Sequence, residues 1–455
     1  MIVLVVIGGW GLTYTKGCGE KYCEHWRYSY GIGDKMVREI RLKTLENIDF
    51  VVKKQIDGCE GEQKKSVKRD FWNSYKVVVD CGNRTMLMPL ENEYFYVKFD
   101  EAFNPNSFLW DDAFISWWMF KTDPKISKLT LDFWYDRQVI EGEHAGLIPR
   151  EVNKELGSFW DYDDLRVSGP MFLSRIELEI WEREKDLVRL SRVAPKLVNY
   201  FDWLERKRGV TVDVDGVEVK KYLWSGWGSG MDNIPRCDES PNCGYVDLIS
   251  QQAAMAGDMA KIMKILNNDE VAKEFEGRKI DLANEIKNNY WSEEDGFVYD
   301  IGESGGVDKS IQSAAFFWTL YAQVLDEKQT KVLVEKYLLS SDKFAGGTGM
   351  LSIARDMDLF DEKGGYWRGG VWPPLIWIGY LSLKENGYEQ ESFDIKNKYL
   401  NYFREMWESE GTLYEYYSPN LSDGRLVFGS YPEAKKDFFG WGVVPIAWWD
   451  EDLRL

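Results

Sequence analysis

Two acidic residues in unusual company raise the question of chemistry in this chain. Asp232 closes the stretch WSGWGSGMD, in which glycines stand at 226, 228 and 230 and tryptophans at 224 and 227. Glu415 lies in LYEYYSPN, between Tyr414 and the pair Tyr416–Tyr417. Glycine lets a backbone turn freely and lets a ligand come close. A carboxylate presented from an aromatic, glycine-rich loop suits the cleavage of a glycosidic bond. That reaction passes through an oxocarbenium-like transition state. It needs one carboxylic acid to protonate the leaving oxygen and a second carboxylate to activate water or attack carbon. The acid should sit where desolvation or a neighbouring carboxylate raises its pKa. Asp232 suits the first role by context, with Arg236 placed to orient it or to grip substrate. Each residue also has a structural reading. An Asp before Asn-Ile-Pro often serves a turn or a helix cap, and a Glu among tyrosines sits equally well on a packed strand.

Composition narrows the alternatives. The 455 residues include only two histidines, His25 and His144. A histidine-rich metal cluster is therefore excluded, and a Ser-His-Asp triad would have to use one of the two. His144 lies in EGEHAG, a polar loop where a solvated side chain is expected. Catalysis must lean on carboxylates, with no cofactor and no metal. The six cysteines (18, 23, 59, 81, 237 and 243) lack the spacing of a zinc site, although CDESPNC could close a small loop just after Asp232. Phe, Trp and Tyr make up 15% of the chain, which fits stacking on sugar faces, although many such rings must be core. The formal charge of −19 argues against nucleic acid and anionic membrane surfaces and serves solubility. The apolar run MIVLVVIGGWGL is too short to span a bilayer. It reads as the remnant of a secretion signal or anchor, or equally as a first buried strand, and leaves the compartment and the oligomeric state open.

These candidates need a scaffold. No Ser/Pro-rich linker divides the chain, so we expect an N-terminal extension over 1–33 and one catalytic domain over 34–455. Apolar periodicity predicts a first helix in DKMVREIRLKTLENIDFVVKKQI, with Val37, Ile40, Leu45, Ile48 and Val52 on one face. Residues 71–100 read as strands. Further helices are expected at 111–120, 124–140, 171–182, 190–208, 247–267, 270–290, 310–324, 327–338, 373–385, 391–409 and 437–449. Asp123 should cap the second of these, with Pro124 at its first position, and Asp247 should start another. TVDVDGVEVKKYLW reads as a hairpin turning on Asp215-Gly216. About twelve helices joined by short turns and long loops suggest an all-α chain closing as an (α/α)6 toroid with small β insertions. The loops NPNSFLWDDAF, GLIPREV, SGWGSGMDNIPR, GGYWRGGVWPP and LYEYYSP would gather at one rim.

Taken in order, the loops resemble glycoside hydrolase family 63, which includes the processing mannosyl-oligosaccharide glucosidases and bacterial relatives acting on small α-linked sugars. A fainter likeness extends to inverting trehalases. FLWDDAF, GLIPREV, SGMDNIPR followed by YVDLISQ, GYWRGGVWPP, LYEYYSP and FFGWGVV each match a family segment. Singly they are weak; six in sequence are specific. The resemblance implies the toroid and hydrolysis of a small α-glucoside or α-mannoside with inversion. By motif position Asp232 would be the general acid, Glu415 the general base and Asp111 a ligand of sugar hydroxyls. Trp110, Arg150, Glu151, Trp227, Arg236, Trp367, Arg368, Trp372, Tyr414 and Trp441 would bind substrate. Asp112 departs from the Ser or Thr usual in relatives. Only residues 1–107 precede FLWDD, which points away from large N-linked glycans. The rival readings are an inactive carbohydrate-binding protein on the same toroid and a trehalase-type hydrolase. A sugar epimerase is disfavoured because that chemistry relies on histidine.

Overall fold

Tryptophan-rich apolar runs dictate the architecture, described here from a computed structural model covering residues 107–120, 124–152 and 158–435. Shorter pieces cover 68–70, 74–76, 78–80, 85–87, 441, 444–445 and 447–448. The described helices are α1 (Leu109–Met119), α2 (Pro124–Tyr135), α3 (Leu173–Glu184), α4 (Leu187–Lys207), the single turn α5 (Gly226–Ser229), α6 (Val246–Ile265), α7 (Asp269–Glu285), α8 (Phe316–Ala322), α9 (Glu327–Val332), α10 (Pro373–Glu385) and α11 (Glu389–Glu410). Helices α1, α6, α8 and α10 bury most of their residues. A helix apolar around most of its circumference must be enclosed by others. Helices α4, α7 and α11 bury a narrower set of positions and cover the inner ones from outside.

Neighbours in sequence pair as hairpins: α1 with α2, α3 with α4, α6 with α7, and α10 with α11. The inner helices also touch in chain order, α1 against α3, α3 against α6, α6 against α8, and α8 against α10. Trp117 of α1 then meets Trp377 of α10 edge-on at 5.6 Å, and Trp377 packs on Trp448 at 6.1 Å. The first and last of these inner helices are therefore neighbours.

The hairpin between α4 and α5 forms as the sequence predicts. Val214 pairs with Val217 across a turn in which Asp215 and Gly216 both take positive φ, 52° and 84°. That is the turn an Asp-Gly pair selects. Within the strand reading of 71–100, Ser74–Lys76, Val78–Asp80 and Thr85–Leu87 are strands, the last two paired with each other, while 88–100, including EYFYVKF, lie outside the described residues. Two other pairings matter for the site. Ser107–Phe108 pairs with Glu151–Val152, which sets Arg150 and Glu151 beside the start of α1. A ladder of bridges, Leu351 to Val371 to Tyr417 to Phe428, sets the loop before α10 beside Glu415.

Some expectations are corrected. The helix expected over 124–140 ends at Tyr135, because the Gln138 amide turns to donate to the carbonyls of Gly146 and Lys196. The helix expected over 310–324 begins only at Phe316, since Ser313 bridges Ile353 and the Ala314 N–H donates to Ser352. Asp247 does not cap α6, which starts at Val246, and its carboxylate is engaged elsewhere. His144 is not solvated: its side chain is largely buried, packed on Tyr162 and 3.2 Å from Asp163. Asp123, the first expected helix and most of the last lie outside the described residues.

Candidate active site

The site starts from two tryptophans and the glycines packed beside them. The Trp110 indole N–H donates to the Gly228 carbonyl at 2.8 Å, fixing the first turn of α1 against α5. A Cβ at Gly228 would fall 2.1 Å from Trp224 Nε1, so only glycine lets the chain lie on that ring. Gly230 ends α5 at φ 76° with its α-carbon facing the Trp110 ring. Gly228 thus serves close packing on tryptophan, while Gly226 lies against the Asp232 carbonyl. Ser225 caps the turn, its hydroxyl accepting from the Gly228 N–H at 3.1 Å.

Asn233 then ties this loop to the one before α10. Its side chain accepts from the Trp367 N–H at 2.9 Å and donates to Gly365 O at 2.9 Å, while its own carbonyl accepts from Arg368 Nε at 3.1 Å. Trp110, Gly230, Met231, Trp318, Trp367 and Trp441 line one narrow cleft. Trp372 was expected to line it too but is fully buried. It stacks on Trp367 at 3.9 Å and 1°, with Tyr416 on its far side at 4.8 Å, so it backs the wall and does not form it.

Carboxylates gather beside these rings. Burial pushes the Asp111 carboxyl up to about 7, and the nearby charges of Glu415 and Asp232 push the same way. Burial likewise raises Asp232 to about 6, with Arg150 opposing and Glu151 assisting. Arg150 donates to Glu151 Oε2 at 3.0 Å and to the Trp227 carbonyl at 2.9 Å. The Trp160 indole donates to the same Glu151 oxygen at 2.8 Å. Glu415 is buried; its Oε1 accepts from the Tyr366 hydroxyl at 3.0 Å and its Oε2 from the Lys435 N–H at 3.4 Å. Asp111, Arg150, Glu151, Asp232 and Glu415 therefore share one electrostatic neighbourhood.

Three further candidates fall elsewhere. Arg236, expected to orient Asp232 or grip substrate, is fully buried in a double ion pair. It reaches Asp247 at 2.8 and 3.0 Å and Asp300 at 2.5 and 2.6 Å, and lies over the Tyr245 ring. It is a staple, because the two carboxylates already take four of its five N–H groups. Trp227 is half-exposed, its ring at the surface and its carbonyl held by Arg150. Tyr414 is buried with its ring stacked on Phe428 at 4.7 Å. Asp112 points away into the core, where Trp134 donates to it at 2.8 Å and burial raises its pKa well above the usual carboxylate range.

Sequence reasoning passed over Tyr366, Asn233 and Trp160. Their roles depend on partners 49, 134 and 9 residues away, and nothing in their local pattern marks those contacts. Cys237 and Cys243 are joined as a disulfide, so their grouping with Asp300 offers no free thiolate to a metal. A wider cleft lies among Asp202, Glu205, Lys220 and Arg278, but its charges pair with one another, Arg278 with Asp202 and Lys220 with Glu205.

Residues 104–441 match the mannosylglycerate hydrolase MGH1-like glycoside hydrolase domain, and the chain belongs to that family. It is 22% identical to the mannosyl-oligosaccharide glucosidase of Saccharomyces cerevisiae, over 86% of this chain and 56% of that one. The chain spans about half the length of the first curated relatives it matches. Its fold is similar to the GH63 mannosylglycerate hydrolase from Thermus thermophilus in complex with glucose, with TM-score 0.60 and 17% identity over 78% of this chain and 95% of that one. It is also similar to the neutral trehalase of Saccharomyces cerevisiae, with TM-score 0.53 and 14% identity over 78% and 73% of the two chains.

Proposed function

We propose that this chain is an inverting glycosidase acting on a small α-glucoside or α-mannoside, its helix pairs closed as an (α/α)6 toroid. The observation that carries this reading is the electrostatic cluster of Asp111, Asp232 and Glu415, with the Asp232 carboxyl raised to about 6; Asp111 and Asp232 directly follow the cleft residues Trp110 and Met231 in the chain. In the proposed step, water attacks the anomeric carbon from the face opposite the leaving oxygen. Glu415 takes a proton from that water while the glycosidic C–O bond breaks, and Asp232 gives its proton to the departing oxygen. One displacement inverts the anomeric centre. Asp111 would hold sugar hydroxyls, and the faces of Trp110, Trp367 and Trp441 would pack on the pyranose.

The roles separate by leaving group. Glu415→Ala should lose about 10²–10⁴-fold in turnover even on an aryl α-glycoside with a good leaving group. Asp232→Asn should lose much less on that substrate than on an alkyl glycoside, because a stable leaving anion needs little protonation. Full activity in both variants would remove these carboxylates from the chemistry. A panel of α-glucosides, α-mannosides, trehalose and glycosylglycerates would then fix the sugar and separate this enzyme from a trehalase-type hydrolase. Tight binding without turnover across the panel would favour an inactive carbohydrate-binding protein.

A further inference from the structure

We propose that Tyr366 is the positioning residue of the general base: its hydroxyl holds the Glu415 carboxylate in one orientation and keeps it ionised. The inference rests on the reading of Glu415 as base. The contact itself is a 3.0 Å hydrogen bond from the Tyr366 hydroxyl to Glu415 Oε1. The tyrosine has little freedom to leave it. Its ring packs edge-on against Trp372 at 4.7 Å and Tyr416 at 5.5 Å, its N–H donates to Tyr431 O, and its carbonyl accepts from the Trp372 indole.

The backbone supplies a second, independent observation. Tyr366 takes φ 64°, a left-handed conformation that a bulky side chain rarely adopts. Its neighbours Gly364 and Gly365 also have positive φ, so the turn is sharp and the tyrosine is carried through it. Such strain persists where surrounding contacts over-determine it, and it concentrates at functional sites. In this turn the strain aims a hydroxyl at Glu415 from a loop on the opposite side of the Val371–Tyr417 bridge.

The charge environment shows why a donor is needed. Glu415 shares the site with Asp111 and Asp232, both anionic when deprotonated, and Asp361 stands near the adjoining Tyr416. Arg150 brings a countercharge to the same cluster, acting on Glu151, Asp232 and Asp111, and the Lys435 N–H donates to the other Glu415 oxygen. Like charges favour a protonated, idle base. The Tyr366 hydroxyl is held far above its ordinary pKa by burial and by Glu415, Asp232 and Asp111, so it remains a donor across the working pH range.

Tyr366→Phe removes only the hydroxyl and keeps the ring. In wild type, the Glu415 titration is assigned by ¹³C-carboxyl NMR of glutamate-labelled protein, as the resonance lost in Glu415→Gln. In Tyr366→Phe that pKa should rise by about one unit, a tenfold change in the protonation equilibrium. The acid limb of the kcat/KM profile should move by the same amount. Turnover on an aryl α-glycoside should fall about 10–100-fold with KM changed little, and the melting temperature should change little. An unmoved Glu415 pKa in folded Tyr366→Phe would overturn the proposal, whatever the activity. Retained turnover in Glu415→Gln would instead sink the reading of the base, and the NMR shift would still report on the Tyr366 contact.

Discussion

Asp111 carries the clearest conflict between stability and use. Its folded carboxyl is raised to about 7 from an unfolded value near 3.8, with burial first and the charges of Glu415 and Asp232 adding to it. The folded state therefore keeps a proton that the unfolded chain releases from about pH 4 upward. Stability is fully present below the unfolded value and is lost as pH rises through the folded one. Asp111→Asn removes the ionisation and should stabilise the protein at pH 8 by about 2–4 kcal/mol, with little effect at pH 4. Paired thermal melts at the two pH values check this, and an unchanged pH slope would contradict it. Activity should fall in the same variant, since the amide is a poorer partner for sugar hydroxyls. Single residues were partly legible in the sequence. Glu415 and Asp232 stood out by their aromatic surroundings, and both lie in the charged cluster. Tyr366 did not stand out, because its hydroxyl matters only once a left-handed turn brings it to a residue 49 positions away.

Elements were easier to read than their fastenings. Long apolar or periodic runs revealed α3, α4, α6, α10 and α11 to within a few residues, and Asp215-Gly216 marked the hairpin. The failures came where a side chain chose a distant partner. Arg236 was read with Asp232, four residues earlier, but it fastens the start of α6 through Asp247 and the strand residue Asp300. Replacing it with a neutral chain leaves two carboxylates buried without their cation. Breaking a buried pair from one side typically costs about 3–5 kcal/mol. Arg236→Met should therefore lower the melting temperature sharply while KM, measured on the fraction still folded at low temperature, changes little. A raised KM with unaltered melting would return Arg236 to the substrate. The Cys237–Cys243 loop follows directly and tightens the same corner.

At the scale of the molecule, aromatic content divides between two jobs. Trp117, Trp118, Trp203, Trp224 and Trp377 are fully buried and belong to the core. Trp110, Trp367 and Trp441 line the narrow cleft. Composition alone suggested both uses without saying which ring does which, since burial is decided by contacts between hairpins far apart in sequence. The family match over 104–441 makes the chain a member of a glycoside hydrolase family, and the central proposal built on the carboxylate cluster is hydrolysis of an α-glycoside by single displacement. The most direct test follows the anomeric proton of the released sugar by NMR in the first minutes of turnover of an α-glycoside, before mutarotation. The account predicts that the β-anomer appears first and then equilibrates with the α-anomer. Early release of the α-anomer would contradict it, because that outcome requires two displacements and a covalent intermediate on the enzyme.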